Sequence, residues 1–263
     1  MQASAYTNKF YDTHRGGSRR SAQVVVPIVL QLVKAKAVVD VGCGVGTWLS
    51  VFRELGVSDT VGLDGDYVDR RMLQIPQDQF RATDLSSPFG LSRTFDLAVS
   101  LEVAEHLPQQ AAEGFVASLA RLAPVVLFSA AIPFQSGTLH LNEQWPDYWA
   151  ALFRRHDYVP IDCIRDKIWD NDDVEWWYAQ NCLVFASTSS FKHNGALRTA
   201  FETTNPRPLN LVHPRLHLSC ARSLADPQYG VTTALGILAR LLKRATQRRL
   251  QRALPGLWQQ NEN

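Results

Sequence analysis

The sequence predicts an α/β fold in which helices cover both faces of a mostly parallel sheet. Two observations lead to this prediction. Between about Ser21 and Ser187, short apolar segments alternate with longer segments whose apolar residues recur at helical spacing. The short segments are apolar at almost every position, which is typical of strands buried on both faces. A doubly wound sheet with helical crossovers is therefore expected.

The predicted elements follow one another in a regular order. The amphipathic segment SAQVVVPIVLQLVKAKA predicts a first helix. The predicted strands are AVVDV, TVGLD, FRATD, FDLAVSLE and PVVLFSAAI. The predicted helices between them are TWLSVFREL, which Gly56 closes, VDRRMLQI and QQAAEGFVASLARL. Beyond them, PDYWAALFRRH predicts a helix, and YVPIDCIR and WYAQNCLVFAS predict two strands close enough in sequence to pair antiparallel.

The globular core is expected to end near Ser190, where the polar segment STSSFKHNG interrupts the pattern. We therefore predict a domain over residues 1–190, with a helical lid over 1–36, and a C-terminal extension over 191–263. Between Val231 and Trp258, the extension has leucines at helical spacing and six basic residues without an acidic one. This pattern predicts a basic amphipathic helix that contacts a membrane surface or a partner protein. The alternative is a solvated helix packed on the domain, or a mobile tail.

The composition limits the class of protein. The chain has 263 residues, 46% hydrophobic and 20% charged, which is ordinary for a soluble globular protein. A net charge of +2 is too small to indicate nucleic-acid binding. The four cysteines form no C-x-x-C pair, so neither a zinc site nor a disulfide framework is expected. The longest apolar run, Val24 to Val33, is too short to span a bilayer, and a cytoplasmic location is expected.

The first predicted strand runs into a turn dense in glycine, VGCGVGTW, which contains Gly42, Gly44 and Gly46. A dinucleotide fingerprint requires a third small residue where this sequence has Thr47. A Walker-type lysine is also lacking. The turn therefore disfavours dinucleotides and nucleoside triphosphates.

Carboxylates follow the first three predicted strands. Asp64 is placed to accept both ribose hydroxyl protons, Asp84 to accept from an adenine amino group, and Asp40 to face a cationic head group. Three carboxylates suit an adenosine that carries positive charge, and the ligand that fits is S-adenosylmethionine. The alternatives are a helix cap for Asp64 and a turn with Ser86 and Ser87 for Asp84.

By these residues the chain resembles the class I S-adenosylmethionine-dependent methyltransferases. VVDVGCGVGTW is similar to the first motif of that family, VGLDGD to the acidic strand end, TDLSSPF to the adenine-edge motif, and FDLAVSLEVAEHLP to the fourth-strand motif. The resemblance implies a seven-stranded sheet with an antiparallel last strand. It implies cofactor contacts at Leu85 within the third motif and at Glu102 within the fourth.

Three further segments, HLNEQWPDYW, CIRDKIWDN and WWYAQN, resemble a bacterial subgroup linked with carbohydrate and cell-surface biosynthesis. This resemblance implies a hydroxyl acceptor on a sugar, a glycan precursor or a small metabolite. The alternatives are a protein or nucleic-acid acceptor and a non-catalytic adenosine-binding module. Tryptophans in and near these segments either stack on a sugar or fill a core: Trp145, Trp149, Trp169, Trp176 and Trp177.

His140 and His106 are the predicted catalytic residues. His140 lies in a polar loop after the fifth strand and is a natural base for an alcohol acceptor; the alternative is a structural lid. His106 closes the string E-x-x-E-H, which begins at Glu102 and also contains Glu105. That string resembles a metal-binding variant of quinone-type O-methyltransferases. Metal-free relatives use similar strings to shape the pocket floor, and no metal is expected here.

Overall fold

The structure is a computed structural model and describes residues 8–204 and 207–225. The predicted basic helix from Val231 lies outside these residues. Among the described residues, no helix combines the length and the apolar character needed to cross a bilayer.

The centre of the fold is a seven-stranded sheet. Its strands are β1 (Ala37–Val41), β2 (Asp59–Asp64), β3 (Phe80–Ala82), β4 (Leu97–Leu101), β5 (Val125–Ser129), β6 (Tyr158–Ile161) and β7 (Leu183–Ser187). They lie in the order β3-β2-β1-β4-β5-β7-β6. The first five strands pair in parallel, and β7 pairs antiparallel with both β5 and β6. The expected sheet and its antiparallel last strand are confirmed.

Helices lie on both faces of the sheet. The helices of the described residues are α1 (Asn8–Leu32), α2 (Thr47–Glu54), α3 (Ala112–Leu122), α4 (Pro146–Arg154), α5 (Arg165–Ile168), α6 (Trp176–Asn181), α7 (Gly195–Thr204) and α8 (Pro214–Ala225). Because side chains alternate along a strand, Val38 enters the core under α1 and α2, whereas Val39 enters the core under α3 and α4. The predicted two-sided covering is confirmed.

Two predicted elements are wrong. Instead of a helix, VDRRMLQI forms only a short 3-10 turn, Arg70–Met72. Asp69 accepts the backbone N–H of Arg71 at its start, and Pro76 disfavours helical geometry in the residue before it. The first half of WYAQNCLVFAS is the helix α6, not a strand, and the strand begins only at Leu183.

The packed core continues beyond Ser190. Leu197 of α7 is fully buried in the same core as α1, and the Asn194 side chain donates to the carbonyl oxygen of Leu32 at 2.8 Å. The chain up to Leu216 forms one compact unit, and a second unit starts at His217. The first unit therefore extends past the predicted core end. The segment predicted as a helical lid contains α1, which contributes fully buried valines to the core.

Candidate active site

A cavity of about 400 Å³ opens where the strands β1, β2 and β4 end. The glycine turn, the segment after β4, the loop after β5 and the start of α6 all contribute to its wall. Of the predicted site residues, the cavity brings together Gly42, Gly44, Asp64, Leu85, Glu102, His106 and His140. Seven of the ten predicted catalytic and cofactor residues therefore line one cavity.

The glycine turn requires glycine for two separate reasons. Gly42, Gly44 and Gly46 all have positive φ, between 54° and 86°, which side chains rarely adopt. A Cβ at Gly42 would also lie 2.3 Å from Cγ2 of Val103, the second residue after β4. The turn is thus packed directly against the segment that carries the acidic residues of the site.

Asp64 is buried at the end of β2 and organises the turn. Its Oδ2 accepts the backbone N–H of Gly44 at 2.7 Å. Its Oδ1 accepts the backbone N–H of Gly65 and the hydroxyl of Tyr67, both at 2.6 Å. Burial raises the pKa of Asp64, and these three donors oppose that rise. Tyr67 also lines the cavity, and no sequence signal pointed to it.

Three predicted cofactor residues lie outside the cavity wall. Asp40 is 3% exposed within β1, and burial together with the charge of Asp64 raises its pKa to about 8. Its carboxyl group is thus mostly neutral at pH 7 and is a poor partner for a cation. Gly46 begins α2 and packs against Ile75. Asp84 is exposed, and its carboxylate accepts hydrogen bonds within its own turn.

The turn at Asp84 is the alternative that the sequence left open. Its carboxylate accepts from the backbone N–H of Ser86 at 3.0 Å, from the Ser86 hydroxyl at 2.6 Å and from the Ser87 hydroxyl at 3.2 Å. The neighbouring Leu85 is 2% exposed and lines the cavity. The adenine-edge motif therefore meets the cavity through its leucine.

Glu102 follows β4 directly and has a positive φ of 54°, which is uncommon for a residue with a side chain. Its Oε2 accepts from the side-chain amide of Gln135 at 2.9 Å, and its Oε1 accepts from that of Asn181 at 3.1 Å. Glu102 and Gln135 both line the cavity.

Glu105, His106 and His140 form a cluster in which one ligand atom from each lies within 4.8 Å of the others. Glu105 is fully buried against Glu102 and the backbone of Ala131, and its carboxylate oxygens make no hydrogen bond of ordinary geometry within the described residues. Burial and the neighbouring Glu102 raise the pKa of Glu105. Burial and the adjacent His140 lower the pKa of His106 to about 4, so its imidazole is neutral at pH 7.

His140 is held by two contacts of its loop. Its Nδ1 lies 2.9 Å from Oε1 of Glu143, whose Oε2 accepts the backbone N–H of Phe134 at 2.9 Å. The backbone N–H groups of Leu141 and Asn142 both donate to the carbonyl oxygen of Glu105, at 2.7 and 2.9 Å. The loop after β5 is thus tied to the turn after β4.

The cluster has the composition of a divalent-cation site, with one carboxylate and two imidazoles. The buried, unpartnered oxygens of Glu105 and the neutral imidazole of His106 fit such an ion. The ligand set differs from the alternative left open by the sequence, because His140 takes the place of Glu102. Nothing in the sequence indicates that His140 lies beside Glu105 and His106, since 34 positions separate the two histidines.

Tryptophans meet the cavity at only some of the predicted positions. Trp176 and Trp177 line it, as does Trp48, which sequence reasoning did not single out. Trp149 is 2% exposed and packs against phenylalanines of the core under α3 and α4. Trp169 instead stacks near His213.

The fold and the cavity together define a class of protein. A glycine turn after β1 and a buried aspartate at the end of β2, at the edge of a seven-stranded sheet of this order, form the arrangement of the class I S-adenosylmethionine-dependent methyltransferases. A family model described as a methyltransferase domain matches residues 13–203, and the chain belongs to that family. It is a methyltransferase, and its methyl donor is S-adenosylmethionine. The family resemblance seen in the sequence is confirmed.

Solved structures similar in fold include three bacterial proteins. The sugar N-methyltransferase KedS8 from Streptoalloteichus sp. is 15% identical, with a TM-score of 0.55 over 69% of this chain and 92% of that one. CalS10 from Micromonospora echinaspora, an amino pentose methyltransferase solved with bound S-adenosylmethionine, is 15% identical, with a TM-score of 0.52 over 70% and 98%. DesVI from Streptomyces venezuelae is 16% identical, with a TM-score of 0.50 over 68% and 97%. Among curated proteins, none matches this chain significantly.

Proposed function

We propose that this methyltransferase methylates a hydroxyl group of a small molecule, such as a sugar or a glycan precursor, with His140 as the general base. The observation that carries the proposal is the contact of His140 with Glu143 at 2.9 Å beside the cavity. A carboxylate on Nδ1 fixes the tautomer in which Nε2 carries the lone pair. An alcohol is a poor nucleophile, so it benefits from such a base, whereas an amine needs less help.

The chemistry follows from this placement. The acceptor oxygen attacks the methyl carbon while the carbon–sulfur bond breaks, and the sulfonium becomes a neutral thioether. The hydroxyl proton passes to Nε2 of His140, and the imidazolium formed is stabilised by Glu143. His106 stays neutral beside it because burial and His140 lower its pKa to about 4. The base thus acts next to an uncharged ring.

The order of strands along the sheet edge supports an orientation for the cofactor. Asp64 ends β2, the glycine turn follows β1, Glu102 follows β4, and the His140 loop follows β5, in the spatial order β2-β1-β4-β5. A cofactor whose ribose bound Asp64 would therefore extend across the glycine turn towards Glu102. Leu85 would lie against its adenine, and the acceptor would enter from the side of His140. Tyr67 donates to Asp64 and also lines the cavity, so it would border the same ribose site.

The base is tested with His140→Ala and Glu143→Gln, once a methylated product has been identified. We expect kcat to fall by about 100-fold or more for His140→Ala and by about tenfold for Glu143→Gln, with cofactor affinity little changed. His193→Ala, in an exposed turn, is the matched control. A full kcat in His140→Ala would exclude the base.

A second candidate for hydroxyl activation is a divalent cation held by Glu105, His106 and His140. The buried Glu105 oxygens without a described partner favour it. Such an ion would act as a Lewis acid on the acceptor oxygen. Electron paramagnetic resonance with Mn²⁺ tests it without any turnover. The wild type should bind Mn²⁺, Glu105→Gln should not, and the surface control Glu113→Gln should bind normally. Absence of binding by the wild type at millimolar Mn²⁺ would remove this candidate.

The acceptor is identified with labelled methyl donor. Purified protein is incubated with small-molecule, protein and nucleic-acid fractions of a cell extract, and the product is found by mass spectrometry. A labelled oxygen on a sugar or small metabolite is the expected result. Label in protein or nucleic acid would overturn the acceptor class. Cofactor binding without any product would instead favour the non-catalytic adenosine-binding module.

We also propose that the protein is cytoplasmic and contacts a membrane or a partner through the basic segment from Val231. Support comes from the sequence alone, since its six basic residues and spaced leucines suit an anionic surface. Sedimentation with anionic liposomes should recover the full chain in the pellet and a chain truncated before Val231 in the supernatant. Equal distribution of the two would remove membrane contact.

A further inference from the structure

Three side-chain amides form a network that ends at Glu102, and two of them belong to a sequence motif that the proposed function leaves unused. Gln180 and Asn181 end α6 within WWYAQN, and Gln135 lies in the loop after β5. All three are buried, with exposed fractions of 0%, 3% and 9%. The donor and acceptor ends of each amide in this network can be assigned, because two backbone N–H groups that can only donate take part in it.

The first fixed donor is the backbone N–H of His213, which lies 2.8 Å from Oε1 of Gln180. Because a backbone N–H can only donate, this contact assigns the oxygen of the Gln180 amide. The nitrogen of the same amide therefore points to Oε1 of Gln135, at 3.0 Å.

A second fixed donor leads to the same assignment. The backbone N–H of Ile132 donates to Oε1 of Gln135 at 3.3 Å. That oxygen also accepts from Asn181 at 2.9 Å. The nitrogen of the Gln135 amide must then face Oε2 of Glu102, while the amide nitrogen of Asn181 faces Oε1.

Both oxygens of Glu102 therefore accept hydrogen bonds from groups that can only donate at that position. Burial raises the pKa of Glu102, and the hydrogen bonds from Asn181, Ser129 and Gln135 oppose that rise because they favour the carboxylate form. The positive φ of Glu102 is maintained by the same contacts, and its backbone N–H donates to Ser129. The hydrogen bonds therefore fix the Glu102 carboxyl group at the cavity wall, between the glycine turn and the His140 loop, with donors directed at both of its oxygens.

We propose that Gln135 and Asn181 are positioning residues that hold Glu102 as a fixed anion beside the reacting sulfur, so that the site prefers the positively charged methyl donor over its neutral product. The inference rests on the proposed orientation of the cofactor. Methyl transfer converts a sulfonium into a thioether, so the attraction to Glu102 ends with the reaction. Release of the product is favoured for this reason.

The test compares ligands that differ in charge. The dissociation constants of S-adenosylmethionine, of sinefungin, which carries an ammonium group near the position of the methyl group, and of S-adenosylhomocysteine are measured by calorimetry without acceptor. A chelator is present throughout, so that no cation near Glu105 offsets the charge. The variants are Glu102→Gln, Asn181→Ala and Gln135→Ala. Gln144→Ala is the matched control, because Gln144 bonds Asn142 in the same loop.

The measured quantity is the affinity ratio between each charged ligand and S-adenosylhomocysteine. In Glu102→Gln this ratio should fall by about tenfold relative to the wild type, with affinity for the neutral product kept. Asn181→Ala and Gln135→Ala should lower it by a smaller factor, and Gln144→Ala should leave it unchanged. An unchanged ratio in Glu102→Gln, or an equal loss for charged and neutral ligands, would overturn the inference. Failure of the wild type to bind any of the three ligands would instead overturn cofactor use itself.

Discussion

Replacement of Gly42 by alanine tests whether the glycine turn is fixed by close packing. Gly42 has a φ of 86°, and Gly56, at the end of α2, has a φ of 95°. At both positions an alanine would have to adopt a left-handed backbone conformation, which costs about 1–2 kcal/mol of stability. Only at Gly42 does the new Cβ meet other atoms, namely Cγ2 of Val103 at 2.3 Å, Cγ1 at 2.7 Å and Cβ at 3.1 Å, whereas at Gly56 nothing lies within 4 Å.

Rotation of Val103 does not relieve this contact. A valine places its two methyl groups in two of three staggered positions, so every rotamer leaves one methyl group in a position that is now 2.3 or 2.7 Å away. Overpacking of this kind costs about 1–3 kcal/mol in addition. We therefore expect Gly42→Ala to lower the free energy of unfolding by about 2–5 kcal/mol, and Gly56→Ala by about 1–2 kcal/mol.

Urea denaturation of the two variants measures the difference, and Gly56→Ala serves as the backbone control. The double variant Gly42→Ala with Val103→Ala should recover about 1–3 kcal/mol relative to the sum of the single variants, because the truncated side chain leaves room for the new Cβ. Equal destabilisation by Gly42→Ala and Gly56→Ala, or strict additivity in the double variant, would refute the packing argument.

Three further predictions concern buried and exposed charge. Arg165 bonds the buried carboxylate of Asp162 at 2.6 and 2.8 Å, and Arg165→Met would leave that carboxylate without its cation. We expect Arg165→Met to lower the free energy of unfolding by about 3–5 kcal/mol. Arg155→Met, which removes an ion pair at the surface, should lower it by at most about 1 kcal/mol. The pKa of Asp40 is raised from 3.8 to about 8 by burial and by Asp64, so the folded state holds a proton that the unfolded chain loses, and stability falls as pH rises between these values. Asp40→Asn should therefore gain stability relative to the wild type between pH 5 and pH 8 in urea titrations, and a constant difference would contradict this. In calorimetry, Asp64→Ala should weaken S-adenosylhomocysteine binding by about tenfold or more. Asp84→Ala should change that affinity by less than about threefold, since a solvent-exposed carboxylate contributes little to binding. An equally large loss of affinity in both variants would place adenine recognition at the exposed turn of Asp84.

The strands and the glycine turn could be predicted because their causes are local. A strand buried on both faces is apolar throughout, and a turn with positive φ next to a packed side chain needs glycine. The failure at VDRRMLQI has a local cause as well, because Asp69 and Pro76 both oppose a helix. The helix at Trp176–Asn181 was missed because its aromatic residues suit a strand equally well in isolation.

The site could be predicted only where one residue type and its position decide the role. Asp64 lines the cavity, but Asp40, on the preceding strand, does not, because its side chain points into the sheet packing rather than beyond the strand end. The partners Glu143 and Gln135 lie in the same loop as His140, yet their contacts depend on a backbone with several positive φ angles. Contacts between distant segments, such as Asn181 with Glu102, carry no signature in a single sequence.

The two hydrogen bonds that join Leu141 and Asn142 to the carbonyl oxygen of Glu105 have a consequence for protein engineering. Loop exchange is an obvious route to new acceptor preference, since the segment after β5 borders the cavity. Here a transplanted loop would also have to reproduce the two backbone N–H donors, because without them the turn after β4, which carries Glu105 and His106, loses two hydrogen bonds. A successful graft should therefore carry the turn after β4 from the same donor protein.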